Sequence, residues 1–310
     1  MAKLERPDAP LIAALERARI HPLWDRYQRI TPMAPQAKDA PMHWRWRDIE
    51  PFTERAASEV GIEDVERRAL ILANPAFEGA TVTTQNLIGA FTVLQPGDKA
   101  VPHRHTAAAI RFATRAEGAV TIVNGRRCEM HEGDLVLTPP MCWHGHINQG
   151  ERRTVWFDAA NMPAICNLDA SFFEPGKRHD ERFWEVGTEG SAEYRFPWDD
   201  AVRGLAPAAD GSQTYRYTKG GGSVMPTLDL FLKRVHQKTR ETRSTWSAVC
   251  LAVSGEGRSQ VGDQVFEWSK HDVFTVPHWT WASHQGRGDL FIVTDRAIYE
   301  RLELLREEVR

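Results

Sequence analysis

Three histidines in the first half of the chain have the spacing of metal ligands. His103 and His105 are two residues apart in a segment that alternates like a β-strand, so both rings project from one face. His144 follows turn signals at Asn124-Gly125 and Gly133-Asp134, and antiparallel strands joined by such turns would bring it back beside the first pair. The sequence therefore predicts a metal ion held by His103, His105 and His144.

The predicted metal would be only partly covered by the protein. Three imidazoles leave open positions on an octahedral ion for a chelating substrate and dioxygen. Such a site suits Fe(II), although Mn, Co or Zn would also fit. Arg111 follows the first two histidines and would point a fixed cation, able to bind a carboxylate bidentately, at the same cavity. We therefore expect an aromatic hydroxy-acid as substrate, together with O2.

The residues around these histidines indicate a β-rich scaffold. From Thr81 onward, short segments of high β-propensity are divided by Gly and Pro, which is typical of an antiparallel jelly-roll barrel. Outside the barrels, periodicity and turn signals predict a helix over Leu11–Tyr27, an extended stretch over Pro32–Pro51, a helix over Phe52–Val60, a strand over Ala69–Leu72 and a charged helix over Ile298–Arg310.

The second half of the chain, Leu228 to Thr294, repeats the first. Pro139 corresponds to Pro277 and Trp143 to Trp281, but Ala282 replaces His144. The counterparts of His103 and His105 depend on a one-residue gap, and are Glu241 or Thr242 and Arg243 or Ser244. The repeat predicts a second barrel without an intact metal motif, with a structural role.

These patterns divide the chain into four parts. We expect an N-terminal helical and extended arm over residues 1–80, a metal-binding barrel over 81–175, a linker over 176–222, and a second barrel with a C-terminal helix over 223–310.

The composition is that of a globular protein, since 42% of the 310 residues are hydrophobic and 26% are charged. A formal net charge of −3, with scattered basic residues, argues against a nucleic-acid partner. The sequence lacks an apolar run long enough for a membrane span and a signal-peptide core at its start, so we expect no membrane partner and a cytoplasmic location. The cysteines form no CxxC pair, and reduced thiols are expected.

The motifs around the histidines resemble those of the cupin superfamily. The first cupin motif is matched at Gly97, His103, His105 and Gly118, and the second at Gly133, Pro139, His144 and Asn148. Arg111 stands where the first motif normally has a Glu ligand, and Met141 where the second has Gly. The missing Glu is consistent with a site of three histidines alone.

Longer segments resemble the gentisate 1,2-dioxygenase family, which includes salicylate 1,2-dioxygenase and 1-hydroxy-2-naphthoate dioxygenase. The similar segments are ERRALILANP at 66–75, LQPGDKAVPHRHTAAAIRF at 94–112, MHEGDLVLTPPMCWHGH at 130–146 and VWFD at 155–158. The resemblance implies an all-β bicupin, usually a homotetramer. It would hold Fe(II) in the first barrel and, as an extradiol-type dioxygenase, cleave the ring between the carboxyl- and hydroxyl-bearing carbons.

The same resemblance implies roles for residues beyond the metal ligands. Arg111 and Arg67 would bind the substrate carboxylate, while His146 would support the metal ligands from outside and Asp158 would accompany it. Because His146 lies two residues from a ligand, it is also a candidate for the catalytic base, with its tautomer fixed by Asp158. The sequence leaves open whether His146 is the base or only supports the ligands. Strand alternation alone leaves open whether Arg67 or Arg68 faces the cavity.

The strand ahead of the metal departs from the family pattern and bears on the substrate. Where the family commonly has Gly followed by Gln, this chain reads IGAFTVL over 88–94, so Ile88 and Ala90 are expected to form a more apolar wall. This favours a 5-substituted salicylate, such as 5-nitro- or 5-chlorosalicylate, with salicylate and gentisate as further candidates. Two other classes remain open: a cupin isomerase or hydrolase using Mn or Zn, and a non-enzymatic cupin that senses, stores or binds a small molecule.

Overall fold

The structure is a computed structural model that describes residues 8–310. Its contacts divide the chain into two units, the first ending at Gln36 and the second running from Ala37 to Arg310. The predicted arm begins at residue 1, and its residues 1–7 lie outside the described part.

The described part of the first unit contains two helices where one was predicted over Leu11–Tyr27. They are α1 (Ala9–Arg17) and α2 (Leu23–Ile30). Pro22 lies just ahead of α2 in extended conformation. Because Pro lacks an N–H and its ring clashes with a preceding helical turn, it separates the two helices.

The next helix, α3 (Trp46–Glu59), begins ahead of the start predicted at Phe52 and contains Pro51. Trp46 and Ile49 are buried on its inner face, and the ring of Trp46 lies 4.9 Å from that of Phe91. This burial favours the earlier start, although Pro51 cannot donate a backbone hydrogen bond within the helix. The stretch predicted as extended up to Pro51 therefore ends at Arg45.

The first barrel consists of two antiparallel sheets. The six-stranded sheet has the order β12 (Arg195–Phe196), β8 (Leu135–Thr138), β5 (Ala109–Arg115), β10 (Thr154–Ala160), β3 (Ile88–Leu94) and β2 (Arg68–Ile71). The five-stranded sheet has the order β11 (Phe173–Pro175), β4 (His103–His105), β9 (His144–Asn148), β6 (Ala119–Val123) and β7 (Arg126–Glu129).

The second barrel is built from one 11-stranded sheet. Its two longest strands, β18 (Ala248–Val261) and β21 (Ala282–Thr294), pair with each other along most of their length and connect the other strands into this single sheet. The main path also contains β1 (His43–Trp44), β20 (Val273–Val276), β16 (Asp229–Val235), β14 (Gln213–Lys219) and β13 (Ala206–Pro207). The strands off this path are β15 (Gly222–Ser223), β17 (Thr242–Ser244), β19 (Gln264–Ser269) and β22 (Glu307–Val309). The predicted all-β chain of two barrels is confirmed.

The C-terminal helix is shorter than predicted over Ile298–Arg310. The helix α7 (Arg296–Arg301) ends well before the terminus, and the last residues form β22, which pairs with β17. Arg243 and Glu308 form an ion pair across these strands. Pairing with an available strand edge therefore replaces the last part of the predicted helix. The remaining helices are α4 (Met162–Asn167), α5 (Glu181–Trp184) and α6 (Trp198–Arg203).

The two barrels share a hydrophobic core. Alternation along β5 turns Arg111 into the first barrel and Phe112 outward, where its ring stacks 4.2 Å from that of Phe291. Phe91 and Phe157 belong to the same core cluster. The central strands of the first barrel are therefore buried on both faces, one by the barrel interior and one by the second barrel.

Strands on opposite sides of the domain boundaries expected near residues 80, 175 and 222 pair with each other in the sheets. β2, within the expected arm, pairs with β3. Within the expected linker, β12 pairs with β8 and β14 pairs with β16. Across residues 8–310, no helix combines the length and apolar character needed to span a membrane.

Candidate metal centre and active site

Strand pairing brings the three predicted ligands together inside the first barrel. β4 carries His103 and His105, and it pairs with β9 through His103 and His144. All three side chains are buried, and one potential ligand atom from each lies within 4.8 Å of the others. The centroid of the His144 ring lies 4.2 Å from that of His103 and 4.9 Å from that of His105. The three imidazoles therefore converge as the spacing predicts.

The backbone fixes which nitrogen of each ring faces the shared space. The Nδ1 atoms lie at hydrogen-bonding distance from carbonyl oxygens: His103 from Val101 at 2.8 Å, His105 from Ala107 at 2.8 Å and His144 from Cys142 at 2.9 Å. A carbonyl can only accept, so each Nδ1 carries the hydrogen and each Nε2 keeps its lone pair. Nε2 of His144 is buried without a hydrogen-bond partner. The donor set therefore fits a metal ion.

The electrostatic environment favours the neutral form of His105 and His144, which is the form that binds a metal. Burial and then the nearby charge of Arg111 lower the pKa of His105 to about 4. The same two causes lower the pKa of His144 well below its ordinary value.

Arg111 is a fully buried cation in the same cavity. Its Nη1 donates to Thr138 Oγ1 at 2.5 Å, and its Nε lies 3.2 Å from Asp158 Oδ1. Burial lowers the pKa of Arg111 to about 10, against the opposing effect of Asp158, so the guanidinium stays charged at neutral pH. Thr138 and Asp158 thus hold the side chain while leaving other N–H groups for a ligand.

Asp158 does not contact His146, so the predicted role of fixing its tautomer is wrong. The carboxylate accepts hydrogen bonds from Trp156 Nε1 at 2.9 Å and from Thr92 Oγ1, in addition to the ion pair with Arg111. Its hydrogen-bonding capacity is therefore directed at Arg111 and its neighbours.

His146 instead pairs with Thr121, whose Oγ1 lies 2.9 Å from Nδ1. Its ring centroid is 5.9 Å from that of His144, but it is not among the residues lining the cavity. Burial first, and then the charges of Arg111 and Arg67, lower the pKa of His146 well below its ordinary value. These effects disfavour the protonated imidazole, and the role of His146 as catalytic base stays a prediction.

Of the two adjacent arginines, Arg67 faces the cavity. Its Nη1 is 3.4 Å from Nε2 of His103. Arg68 turns away, where it pairs with Asp98 at 2.5 Å and donates to the carbonyl of Val60 at 2.6 Å.

Glu66 belongs to this site, although sequence reasoning did not single it out. Its carboxylate lies 3.1 Å from Arg67 Nη1 and 3.2 Å from His103 Nδ1. Burial acts to raise its pKa, but the charge of Arg67 and the contact with His103 dominate and lower it to about 2. No feature of its spacing distinguished Glu66 from the other acidic residues of the arm.

The cavity beside the histidines measures about 140 Å³. Ile88 and Ala90 both line it from one face of β3, as expected. Sequence reasoning missed Met162 and Phe173, which also line it, and the Phe173 ring stacks 5.2 Å from that of His103. The cavity therefore combines two arginines with an apolar wall.

Comparisons with known proteins agree with this architecture. A cupin-domain family model matches residues 90–160. 5-Aminosalicylate 1,2-dioxygenase of Comamonas sp is 33% identical over 95% of this chain and 88% of its own length. Gentisate 1,2-dioxygenase of Streptomyces sp is 32% identical over 96% of this chain and 94% of its own length. The crystal structure of salicylate 1,2-dioxygenase from Pseudoaminobacter salicylatoxidans, as an adduct with gentisate, matches with a TM-score of 0.89 at 29% identity, covering 100% of this chain and 96% of that chain.

These relatives also correct one expectation. They are named as 1,2-dioxygenases, so the term extradiol-type, which refers to cleavage outside a pair of ring hydroxyls, does not describe them. Since the similarity extends over nearly the whole chain, this protein is a bicupin that belongs to the family of gentisate, salicylate and aminosalicylate 1,2-dioxygenases.

Proposed function

We propose that this protein uses Fe(II) and O2 to open the ring of a salicylate-type acid between its carboxyl- and hydroxyl-bearing carbons. The observation that carries the proposal is the convergence of three imidazoles beside two arginines, Arg111 and Arg67, that line the same cavity. Three protein ligands leave positions for a chelating hydroxy-acid and for dioxygen. When bound, Fe(II) would supply the electronic coupling that lets O2 react with a closed-shell aromatic ring.

Arg111 and Arg67 would bind and orient the substrate carboxylate. Both line the cavity, and Arg111 is held in place by Thr138 and Asp158. Each charge-assisted hydrogen bond would contribute about 1.5–3 kcal/mol in a site that excludes water. Holding the acid in one orientation would place the carbons of the bond to be broken next to the dioxygen position, which lowers the entropic part of the barrier.

We assign His146 and Asp158 to positioning. Asp158 restrains the Arg111 guanidinium, and His146 packs beside His144 while bonded to Thr121. Neither assignment requires the residue to exchange a proton with the substrate.

The apolar wall supports a substituted salicylate as the substrate. Ile88, Ala90 and Met162 offer no hydrogen-bond partner to a second ring hydroxyl, and therefore favour chloro or nitro at the 5-position over the hydroxyl of gentisate. Salicylate itself would also fit this lining.

Anaerobic reconstitution with Fe(II), followed by oxygen-electrode assays, tests the proposal. The panel is 5-nitrosalicylate, 5-chlorosalicylate, salicylate, gentisate and 1-hydroxy-2-naphthoate, with the Zn-loaded protein as control. We expect oxygen uptake and a ring-opened product with the Fe(II) protein alone. Absence of uptake with every acid, or equal turnover by the Zn protein, would contradict the proposal and favour a non-oxygenase cupin.

We also propose that the chain works as a homo-oligomer, with a tetramer as the expected state. The two helices of residues 8–36 and the segment between them leave large apolar side chains exposed, namely Leu11, Ile20, Leu23, Trp24, Tyr27 and Ile30. Exposed apolar side chains in this number favour association with another protein surface. Light scattering on the purified protein would test this, and a monomeric mass would contradict it.

A further inference from the structure

The second barrel encloses a cavity where the first barrel has its histidines. Thr242 pairs with Ala282 on neighbouring strands just as His103 pairs with His144. This register settles the gap left open by the sequence and makes Ser244 the counterpart of His105. Thr242, Ser244 and Ala282 line a cavity of about 340 Å³. Small side chains at these positions leave the space that the imidazoles fill in the first barrel.

In the second barrel, uncharged residues occupy the positions that hold the buried Arg111–Asp158 ion pair in the first. Arg111 is paired with Asp158 across β5 and β10, and the equivalent pair across β18 and β21 is Cys250 with Ile292. Cys250 and Ile292 line the cavity, together with Phe231. The wall that carries charge in the first barrel is therefore apolar in the second.

One polar group in the cavity is His284, which is 6% exposed. Its Nδ1 lies 2.8 Å from Ser259 Oγ, which itself accepts a hydrogen bond from Trp268 Nε1 at 3.0 Å. Among the described residues, the Ser259 hydroxyl hydrogen has no other acceptor, so it is donated to Nδ1. The ring hydrogen of His284 is then on Nε2, at the opposite edge of the ring, where it is a donor.

A second donor is Lys233, whose side chain is 15% exposed. Its Nζ lies 2.5 Å from Asp210 Oδ2, and Oδ1 of Asp210 accepts hydrogen bonds from the backbone N and Oγ of Ser212. An ammonium group has three hydrogens, so Lys233 can donate further bonds while the carboxylate is already occupied. The other cations that line the cavity, Arg216, Arg243 and Arg296, are paired with carboxylates.

We propose that this cavity binds a small aromatic monoanion, with its ring against the apolar wall and its anionic group on Lys233 and His284. The donors favour a ligand that accepts hydrogen bonds, and the wall containing Phe231 and Trp246 favours an aromatic ring. A dry cavity of about 150 Å³ is sufficient for benzene, so this one has room for a ring with a substituent. The inference does not depend on ring cleavage in the first barrel.

Equilibrium dialysis of the metal-loaded protein with 4-fluorobenzoate tests the proposal. This probe lacks the ortho-hydroxyl needed to chelate the metal of the first barrel. We expect the Ala282→Phe variant to bind one molecule of 4-fluorobenzoate fewer per chain than the wild type. The first barrel accommodates a ring at the equivalent position, so this variant should fold. Cys250→Ala, which only enlarges the cavity, is the matched control and should bind as many molecules as the wild type.

A second variant and a second probe examine the polar contacts. Lys233→Met combined with Asp210→Asn removes the ammonium without leaving a buried charge, and should weaken binding of the same molecule by at least about tenfold. The neutral isostere 4-fluorobenzyl alcohol should bind at least about tenfold more weakly than the acid. Equal stoichiometry in wild type and Ala282→Phe, or no discrimination between acid and alcohol, would overturn the proposal. Oxygen uptake, measured separately, reports on the first barrel alone.

Discussion

The two barrels have the same strand register but different interiors. In the first, His103 and His144 face each other, whereas Thr242 and Ala282 occupy these positions in the second. Both barrels retain a buried histidine bonded to a hydroxyl, His146 with Thr121 and His284 with Ser259. The comparison shows that the barrel specifies where side chains meet, while a few substitutions decide whether that place holds three converging imidazoles or a cavity with one apolar wall.

Removing a metal ligand should give the largest difference between the barrels. We expect His105→Ala to abolish metal binding and oxygen uptake without unfolding the barrel, a larger effect than the roughly 10–100-fold loss typical of outer-shell partners. Ser244→Ala, at the equivalent position of the second barrel, should change neither property. Metal analysis, oxygen uptake and thermal unfolding of both variants check this. Full metal occupancy in His105→Ala would mean that the ligand assignment is wrong.

The second-largest effect concerns stability and pH. His278, in the second barrel, lies 3.2 Å from Asp295 and 3.7 Å from Asp39, and its Nε2 is 2.8 Å from the hydroxyl oxygen of Tyr299. Burial acts to lower its pKa, but these carboxylates dominate and raise it to about 9, so both ring nitrogens carry hydrogen below that pH and act as donors. Because the pKa of His278 is higher in the folded than in the unfolded state, the protonated imidazole stabilises the folded protein. This stabilisation is complete below about pH 6.5, the pKa of the unfolded state, and is lost as pH rises through about 9.

We therefore expect His278 to contribute about 3 kcal/mol at pH 6 that disappears above pH 9. Urea unfolding of wild type and His278→Gln at several pH values measures the difference. The variants should converge at high pH, where the wild-type imidazole is neutral. A difference that stays constant with pH would exclude the charged histidine as its source.

A smaller effect is expected when the ion pair unique to the first barrel is removed. Arg111→Gln combined with Asp158→Asn avoids an unpaired buried carboxylate, and should lower kcat/KM by roughly ten- to a hundredfold through loss of carboxylate binding. Cys250→Ser, at the counterpart of Arg111, is the control and should leave kcat/KM unchanged. Steady-state oxygen uptake across substrate concentrations measures both variants. An unchanged kcat/KM in the double variant would show that Arg111 does not bind the acid.

The smallest predicted effect is a change in substrate preference. Ile88→Ala shortens a side chain in the wall and so enlarges the first cavity. It should raise the ratio of kcat/KM for 1-hydroxy-2-naphthoate to kcat/KM for salicylate by about tenfold. Phe231→Ala enlarges the second cavity and should leave this ratio unchanged. Competition assays with both acids would measure the ratio. If Ile88→Ala and Phe231→Ala changed this ratio equally, the placement of Ile88 in the wall of the first cavity would be contradicted.

The sequence predicted the metal ligands because His-x-His spacing and strand alternation are local properties. It could not distinguish Arg67 from Arg68, since both lie at the edge of β2 and the choice depends on the partners Glu66 and Asp98. The contact expected between Asp158 and His146 failed for a related reason. The register of β5 and β10 places Asp158 opposite Arg111, and that register is a long-range property.

The elements at the chain ends were harder to predict than the barrels. Charged residues at helical spacing predicted a helix to Arg310, but the open edge of β17 pairs with β22. The earlier start of α3 likewise depends on the burial of Trp46 against Phe91. Both outcomes depend on surfaces formed by distant residues, which local periodicity does not contain.

The stacking of Phe112 on Phe291 bears on how far this protein could be shortened. A truncated chain that ended after the first barrel would expose to water the aromatic face that backs the strand of Arg111. Such a fragment would aggregate or lose the alignment of its catalytic cavity, even with every metal ligand present. We therefore expect the first barrel to need the second as its folding partner.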